Sequence, residues 1–232
     1  MLDRSTWTFD RLPDGRTAIR YPDGFEPGLL YNLVYTGCDP KLMGLGFAST
    51  RDFVSCLKYD AQAFNALKDR IRVDRAHAFG SSQSDRFLRH MIYVGFNEDE
   101  QHRKVFDGLI VNVAGGGLGS FNHRFAQPSR HASAHFDVYY PTEQFPFTDR
   151  PQTDPVTGTT AGLLDRCEGS DTVPRIFYTN TSTEYWNRSA SLTHTDLSGK
   201  NDLDVHPSVR IYHFAGTQHG PADLPTGEDQ LP

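Results

Sequence analysis

One segment limits the choice of fold more than any other. Residues 71–79 read as a strand, and the chain then runs through Gly80-Ser81-Ser82-Gln83-Ser84 into a stretch where Phe87, Leu88, Met91, Ile92 and Val94 lay an apolar stripe along a helix. A strand that turns sharply into a helix is a building unit of an α/β sheet. The small residues Gly80 and Ser84 stand two before and two after Ser82. That spacing suits the tight turn that lifts a serine oxygen off the end of a strand, the nucleophile-elbow pattern G-x-S-x-G with serine in the last place. The start of the helix supplies backbone N–H groups, and the N–H of Gln83 faces the place where an oxyanion would develop. The competing reading is a serine-rich turn in which Ser82 or Ser84 only caps the helix.

The rest of the chain is consistent with this unit. Strands at residues 7–9 and 17–21 flank the turn Pro13-Asp14-Gly15, a hairpin signal, and Pro22-Asp23-Gly24 breaks the chain. Residues 29–35 (LLYNLVY) read as a buried strand. Residues 42–59 have helical spacing at Leu45, Phe47, Phe53, Val54 and Leu57, and residues 61–70 connect. A strand at residues 105–113 is ended by Gly115-Gly116-Gly117, and two more strands fall at residues 173–179 and 209–215. Residues 118–172 are long, aromatic and proline-rich with little periodicity, which reads as an insertion or lid, and residues 220–232 read as an extended tail. The alternation predicts an α/β class with a mainly parallel sheet wrapped by helices, in one domain over residues 1–232.

Composition narrows the function classes. With 232 residues, 37% of them hydrophobic and 22% charged, the chain can bury a core. The net charge of −6 comes from interspersed acids and bases, without the clustered basic face that nucleic acid would need. No stretch approaches the ~20 apolar residues of a membrane span, so neither a nucleic acid nor a membrane is expected as partner. The start MLDRSTWTFD lacks the apolar core of a signal peptide, which makes the cytoplasm the default expectation. Cys38, Cys56 and Cys167 form no metal-ligand spacing and no disulfide framework. No cofactor is implied.

Two loops supply partners for Ser82. The strand at 173–179 leads into Asn180-Thr181-Ser182-Thr183-Glu184, and the strand at 209–215 leads into Gly216-Thr217-Gln218-His219-Gly220. A hydrolase elbow needs an acid and then a histidine on loops after late strands, in that chain order, and Glu184 and His219 satisfy it. The competing reading for Glu184 is a capping arrangement with an upstream threonine, and for His219 a polar turn residue. With residues 29–35 as the third strand of such a sheet, a second oxyanion donor falls at Thr36 or Gly37, although no His-Gly signature marks that loop.

The stretches GSSQSDRFLRHMIYVGFNEDE, VFDGLIVNVAGGGLGSFNHRFAQPSR, DPVTGTTAGLL, TNTSTEYWNRSASLTHTDLSG and VRIYHFAGTQHGP resemble a little-characterised α/β-hydrolase-domain family. Upstream, FEPGLLYNLVYTGCDPKLMGLGFASTRDFVSCLKY is similar to the same family, so the resemblance spans roughly residues 25–221. It implies an α/β-hydrolase fold, a Ser82–Glu184–His219 triad and ester hydrolysis. Two departures stand out. Family members usually carry glycine where this chain has Asp85, whose charge the helix macrodipole would favour but which would slow oxyanion formation at the neighbouring serine. Members are also longer at both ends, which makes a shortened form or a piece the expectation for this chain.

Pocket walls are expected from the insertion, at Phe121, His123, Phe125, Tyr139, Tyr140 and Phe145, and beside the acid, at Tyr185 and Trp186. Scaffolding of the insertion and plain packing are the competing uses. Asp196, Asp202 and Asp204 resemble a calcium loop without its spacing or terminal glutamate, and read as a polar loop. His131 and His135 stand four apart, a zinc spacing on a helix, but no helix is expected there and Ala132 stands where a metalloprotease has glutamate. Asn180 and Asn187 begin glycosylation sequons, and His194, His206 and His213 read as structural or surface residues. The expected activity is a carboxyl-ester hydrolase. Acyl transfer by the same triad and a catalytically silent hydrolase-fold binding module are the alternatives.

Overall fold

A computed structural model describes residues 2–29, 31, 33, 35–36, 38–40, 42, 44–60, 72–119, 121 and 143–220. The chain divides into two compact units, Met1–Asp39 and Pro40–Pro232.

In the first unit, strands β1 (Thr8–Arg11) and β2 (Thr17–Arg20) pair antiparallel, with Thr8 opposite Arg20 and Arg11 opposite Thr17. Gly15, at φ 86°, makes the turn between them as the Pro-Asp-Gly signal predicts. Residues 29–35 depart from expectation. Leu29, Tyr31, Leu33 and Tyr35 are exposed, and no strand passes through the described residues of that run. An apolar sequence becomes a strand only where a neighbour pairs its backbone and covers its side chains, and no pairing partner stands beside it among the described residues.

In the second unit, α1 (Leu45–Tyr59) turns Phe47 inward, against Phe87, His90 and Phe96 at ring separations of 4.7, 5.2 and 5.8 Å. Leu45 and Phe53, expected on the same apolar stripe, are exposed. Lys58 pairs with Asp107 at 2.7 Å, fixing the end of the helix. Strand β3 (His77–Ser81) then leads into α2 (Gln83–Tyr93), and β4 (Gly108–Asn112) follows. A short antiparallel pair, β5 (Gln152–Thr153) and β6 (Thr160–Ala161), precedes the single-turn α3 (Asp165–Gly169). Strand β7 (Arg175–Thr181), α4 (Ser182–Asn187) and β8 (Val209–Phe214) follow.

The strands β3, β4, β7 and β8 form one parallel sheet in that order, so each strand lies beside its predecessor. The fold is therefore of the α/β class, with helices joined to a parallel sheet as expected. Across the sheet, Gly80 aligns with Val111 and Tyr178, and Ser81 with Asn112 and Thr179. Parallel alignment brings the carboxyl ends of all four strands to one edge, the edge at which such sheets build their sites.

Alternation along the strands separates two faces. Leu109, Val111, Ile176, Tyr178 and Val209 join Met91 and Ile92 of α2 in the core. Phe79, Ile110, Phe177 and Tyr212, on the alternate positions, are exposed. The segment expected to form a lid contributes to the core as well: Leu163, Leu164 and Cys167 have no exposed surface. Burying a side chain such as leucine stabilises a fold by about 1.5–3 kcal/mol, so residues 163–167 are integral to the domain. The other half of that segment, residues 122–142, lies outside the described residues.

Candidate active site

Ser82 occupies the junction of β3 and α2 with φ 59° and ψ −115°. A non-glycine residue held in such a conformation costs about 1–3 kcal/mol, so the surroundings must impose it. Its N–H donates to the Asn112 carbonyl of β4 at 2.9 Å, and its own carbonyl accepts from Asp85 N–H at 3.2 Å. Ser84 braces the turn from the other side, its hydroxyl accepting from Ser81 N–H at 2.9 Å and donating to the Ser81 carbonyl at 2.8 Å. The Ser82 hydroxyl makes no helix-capping bond, so the capping reading does not hold for it. A Cβ on Gly80 would sit 2.4 Å from a carboxylate oxygen of Asp85 and 2.8 Å from its backbone nitrogen. Glycine at that place is therefore what allows α2 to turn back so closely on β3.

Asp85 itself corrects the charge expected at the helix start. Its side chain is fully buried. Burial pushes its carboxyl up to about 8, against the opposing pull of the Asn112 backbone, Arg89 and the Gly80 backbone. That shift favours the uncharged acid, and so less negative charge beside Ser82 than an exposed aspartate would bring.

The acid and the histidine follow β7 and β8, the strands beyond β4 in the sheet. Glu184 lies in the first turn of α4, straight after β7, and is fully buried. Thr181 caps that helix, and the two residues close a capping box. The Thr181 N–H donates to Glu184 Oε2 at 3.0 Å, and the Thr181 hydroxyl donates to the same oxygen. The capping reading of Glu184 is thus correct for one of its oxygens. The other, Oε1, lies 2.5 Å from His219 Nδ1. Burial alone would raise the Glu184 carboxyl, but hydrogen bonds from Thr181 and His219 outweigh it and hold the group below the usual carboxylate range.

His219 follows β8 on a loop pinned to the start of α4. Gly216 N–H donates to the Ser182 hydroxyl at 2.8 Å, and Ser182 N–H donates to the Thr217 carbonyl at 3.2 Å. This brings His219 Nε2 to 3.0 Å from Ser82 Oγ. An ionised Glu184 can only accept, which favours the tautomer with the ring proton on Nδ1 and with Nε2 facing the serine hydroxyl as an acceptor. Ser82, His219 and Glu184 form one continuous hydrogen-bonded row across the carboxyl edge of the sheet.

An elbow serine, a bridging histidine and a buried glutamate thus meet at the carboxyl ends of three strands of one parallel sheet. A family model described as alpha/beta hydrolase domain matches residues 18–231. The chain belongs to the alpha/beta hydrolase domain family. No curated protein and no solved structure matches it.

For this alpha/beta hydrolase, the other expected site residues fall in different places. Gln83 begins α2, where a first-turn N–H has no acceptor within the helix. Thr36 lies exposed in the first unit and outside any strand, and Gly37 lies outside the described residues. Phe121 packs against Phe87 and His90 on α2, at ring separations of 6.1 and 6.0 Å, which is a packing role. Phe145 meets Phe147 edge-on at 6.3 Å, and Trp186 is exposed. His123, Phe125, Tyr139 and Tyr140 lie outside the described residues, as do His131 and His135. Tyr185 lines a cleft of about 290 Å³ with Asn180, His194, Val205, Ile211 and His213. Its ring lies 4.8 Å from that of His213 and 6.0 Å from that of His194.

The remaining acids and histidines are engaged elsewhere. Asp196 accepts from Ser198, Lys200 and Asn201 within its own loop, and Asp202 lies 3.6 Å from His194. His206 pairs with Glu168 at 3.1 Å. Among the described residues no group of three or more His, Cys, Asp or Glu side chains is arranged to hold a metal ion, and no helix is long and apolar enough to cross a membrane.

Sequence reasoning missed the supports of the site. Asn112 links Ser81 and Thr179 across three strands, with bonds of 3.3 and 2.8 Å. Beneath the glycine run, Glu143 lies between Arg86, at 3.6 Å, and Arg188, at 3.3 Å. A Cβ on Gly116 would meet the Ser189 carbonyl at 2.1 Å, so that run lets the loop after β4 pass directly against the end of α4. The triple glycine was the available signal for this close approach.

Proposed function

We propose that the protein is a serine hydrolase that cleaves carboxylic esters through an acyl-enzyme on Ser82. The observation that carries this reading is the 3.0 Å contact of Ser82 Oγ with Nε2 of His219, whose other nitrogen is held by Glu184. His219 takes the hydroxyl proton as Ser82 attacks the ester carbonyl. The imidazolium so formed is stabilised by Glu184, which stays ionised because Thr181 and His219 hold its carboxyl low. The tetrahedral oxyanion is met by the N–H of Gln83 at the positive end of α2. His219 then returns its proton to the alcohol oxygen, which leaves, and an acyl group remains on Ser82. Water, deprotonated by the same imidazole, attacks that acyl carbon and releases the acid.

The burial that raises the Asp85 carboxyl supports the same reading, because a neutral carboxyl behind the serine does not oppose the developing oxyanion. Tyr185 and its cleft are the proposed contact for one arm of the ester, an apolar wall with two imidazoles at its rim. Assaying p-nitrophenyl esters of rising acyl length tests the proposal. Turnover by the wild type that disappears in Ser82→Ala supports it. Equal release of p-nitrophenol by both proteins contradicts it.

A further inference from the structure

Asp85 is a buried acid that the reaction does not consume. It has no exposed surface, and neither carboxylate oxygen has a hydrogen-bond partner. One of those oxygens fills the notch left by the missing side chain of Gly80, 2.4 Å from where a Cβ would stand. The backbone of the same residue donates to the carbonyl of Ser82. The carboxyl is therefore wedged between β3 and the turn that carries Ser82. The charge acting on it is Arg89, one helical turn along α2, while β3 and β4 meet it with the backbone of Gly80 and Asn112. Arg89 donates through Nη2 alone to the carbonyls of Gly116 and Phe147, at 2.6 and 2.9 Å, and lies against the Tyr178 ring at 4.9 Å, while its Nε and Nη1 are buried without a hydrogen-bond partner.

We infer that Asp85 is a positioning residue whose neutral carboxyl keeps α2 seated on Gly80, and that its ionisation displaces the Ser82 turn and silences the hydrolase. A neutral carboxyl can occupy an apolar notch without a partner. A carboxylate there is a buried charge with no donor bonded to it, and the structure relieves that by opening the notch to water or by turning the group out of it toward the unpaired Nε and Nη1 of Arg89. Either movement carries the backbone of Asp85 with it, and with that backbone the carbonyl of Ser82. Since the group titrates at about 8, the elbow is seated at neutral pH and unseats under mildly alkaline conditions. The inference rests on the proposed hydrolase reading for its effect on turnover, and on the geometry alone for the movement of the turn.

Two measurements on wild type, Asp85→Asn and Asp85→Ala separate these parts. The asparagine variant is nearly isosteric and cannot ionise, and the alanine variant empties the notch if asparagine disturbs packing. The first measurement compares hydrogen–deuterium exchange of a peptide spanning residues 80–93 in the three proteins at equal pH. Exchange in the wild type and Asp85→Asn should match at pH 6.5 and be faster in the wild type at pH 9.5, whereas Asp85→Ala, which lacks the wedge, should exchange faster than Asp85→Asn at both. The second is the pH profile of kcat/KM. The wild type should lose about tenfold per pH unit above a midpoint near 8, and both variants should stay level there. Equal exchange in all three proteins at pH 9.5 overturns the inference, as does an alkaline limb that persists in both variants. The exchange difference without turnover by any of the proteins upholds the positioning of Ser82 by Asp85 and overturns the ester-hydrolase reading instead.

Discussion

Glu184 binds His219 with one carboxylate oxygen and the start of its own helix with the other. A single side chain thus fixes both the orientation of the imidazole and the position of the strand-to-helix turn that presents it. The two tasks can be separated by substitution. Glutamine also closes a capping box, so Glu184→Gln should keep a denaturation midpoint near that of the wild type. It should lower kcat about tenfold or more, because an amide cannot stabilise the imidazolium. Thr181→Val should do the reverse, lowering stability by about 1 kcal/mol in a denaturant titration and turnover only mildly.

Ser84 and Ser82 divide the labour of the elbow between them. Ser84 bridges the backbone of Ser81, and Ser82 is left facing His219. Ser82→Ala should reduce ester turnover by ~10³-fold or more with the melting point little changed. Ser84→Ala should leave the nucleophile in place and lower stability by about 1 kcal/mol, the usual worth of a hydrogen bond. Activity and thermal melting of the two variants, measured side by side, check the assignment.

How much of this was legible in the sequence depends on where each feature is encoded. The elbow and its partners could be read because strand, small residues and chain order are local facts, and Ser82, Glu184 and His219 each follow an apolar strand directly. Leu29, Tyr31, Leu33 and Tyr35, expected within a buried strand, are exposed; an apolar run looks the same in the sequence whether or not a neighbour pairs it. Residues 143–172 looked like a lid because their buried side chains, Leu163, Leu164 and Cys167, come from short elements with no period to detect. Asp85 was read as a charge at a helix start because its burial depends on the notch at Gly80, which only the packed turn creates.

The loop that carries His219 is tied down by Ser182, whose hydroxyl accepts from Gly216 N–H. Ser182→Ala removes that bond and touches neither Ser82 nor His219. Turnover should fall by a few-fold with the affinity for substrate nearly unchanged, since small misplacements of a general base act on kcat. Steady-state kinetics on a p-nitrophenyl ester distinguish this from a loss confined to KM.

Asp99 should set part of the acid limit of the fold. Burial works to raise its carboxyl, but bonds from Ser55 and Arg103 prevail and hold it at about 2. A carboxyl depressed in the folded state contributes stability above its unfolded value of 3.8 and loses that contribution as pH falls toward 2. The contribution at neutral pH is on the order of 2 kcal/mol. Asp99→Asn should therefore be less stable than the wild type at pH 7, and the gap should narrow steadily as denaturation is repeated from pH 5 down to pH 2.

The most direct measurement of the serine-hydrolase reading is covalent labelling with a fluorophosphonate, followed by mass spectrometry of the digested protein. The probe reacts with a serine only where a neighbouring base activates it. The wild type should carry one adduct, on the peptide containing Ser82. His219→Ala should label at least about a hundredfold more slowly, and Ser82→Ala should not label. An unlabelled wild-type protein, or an adduct that persists on Ser81 or Ser84 when Ser82 is replaced, would contradict it.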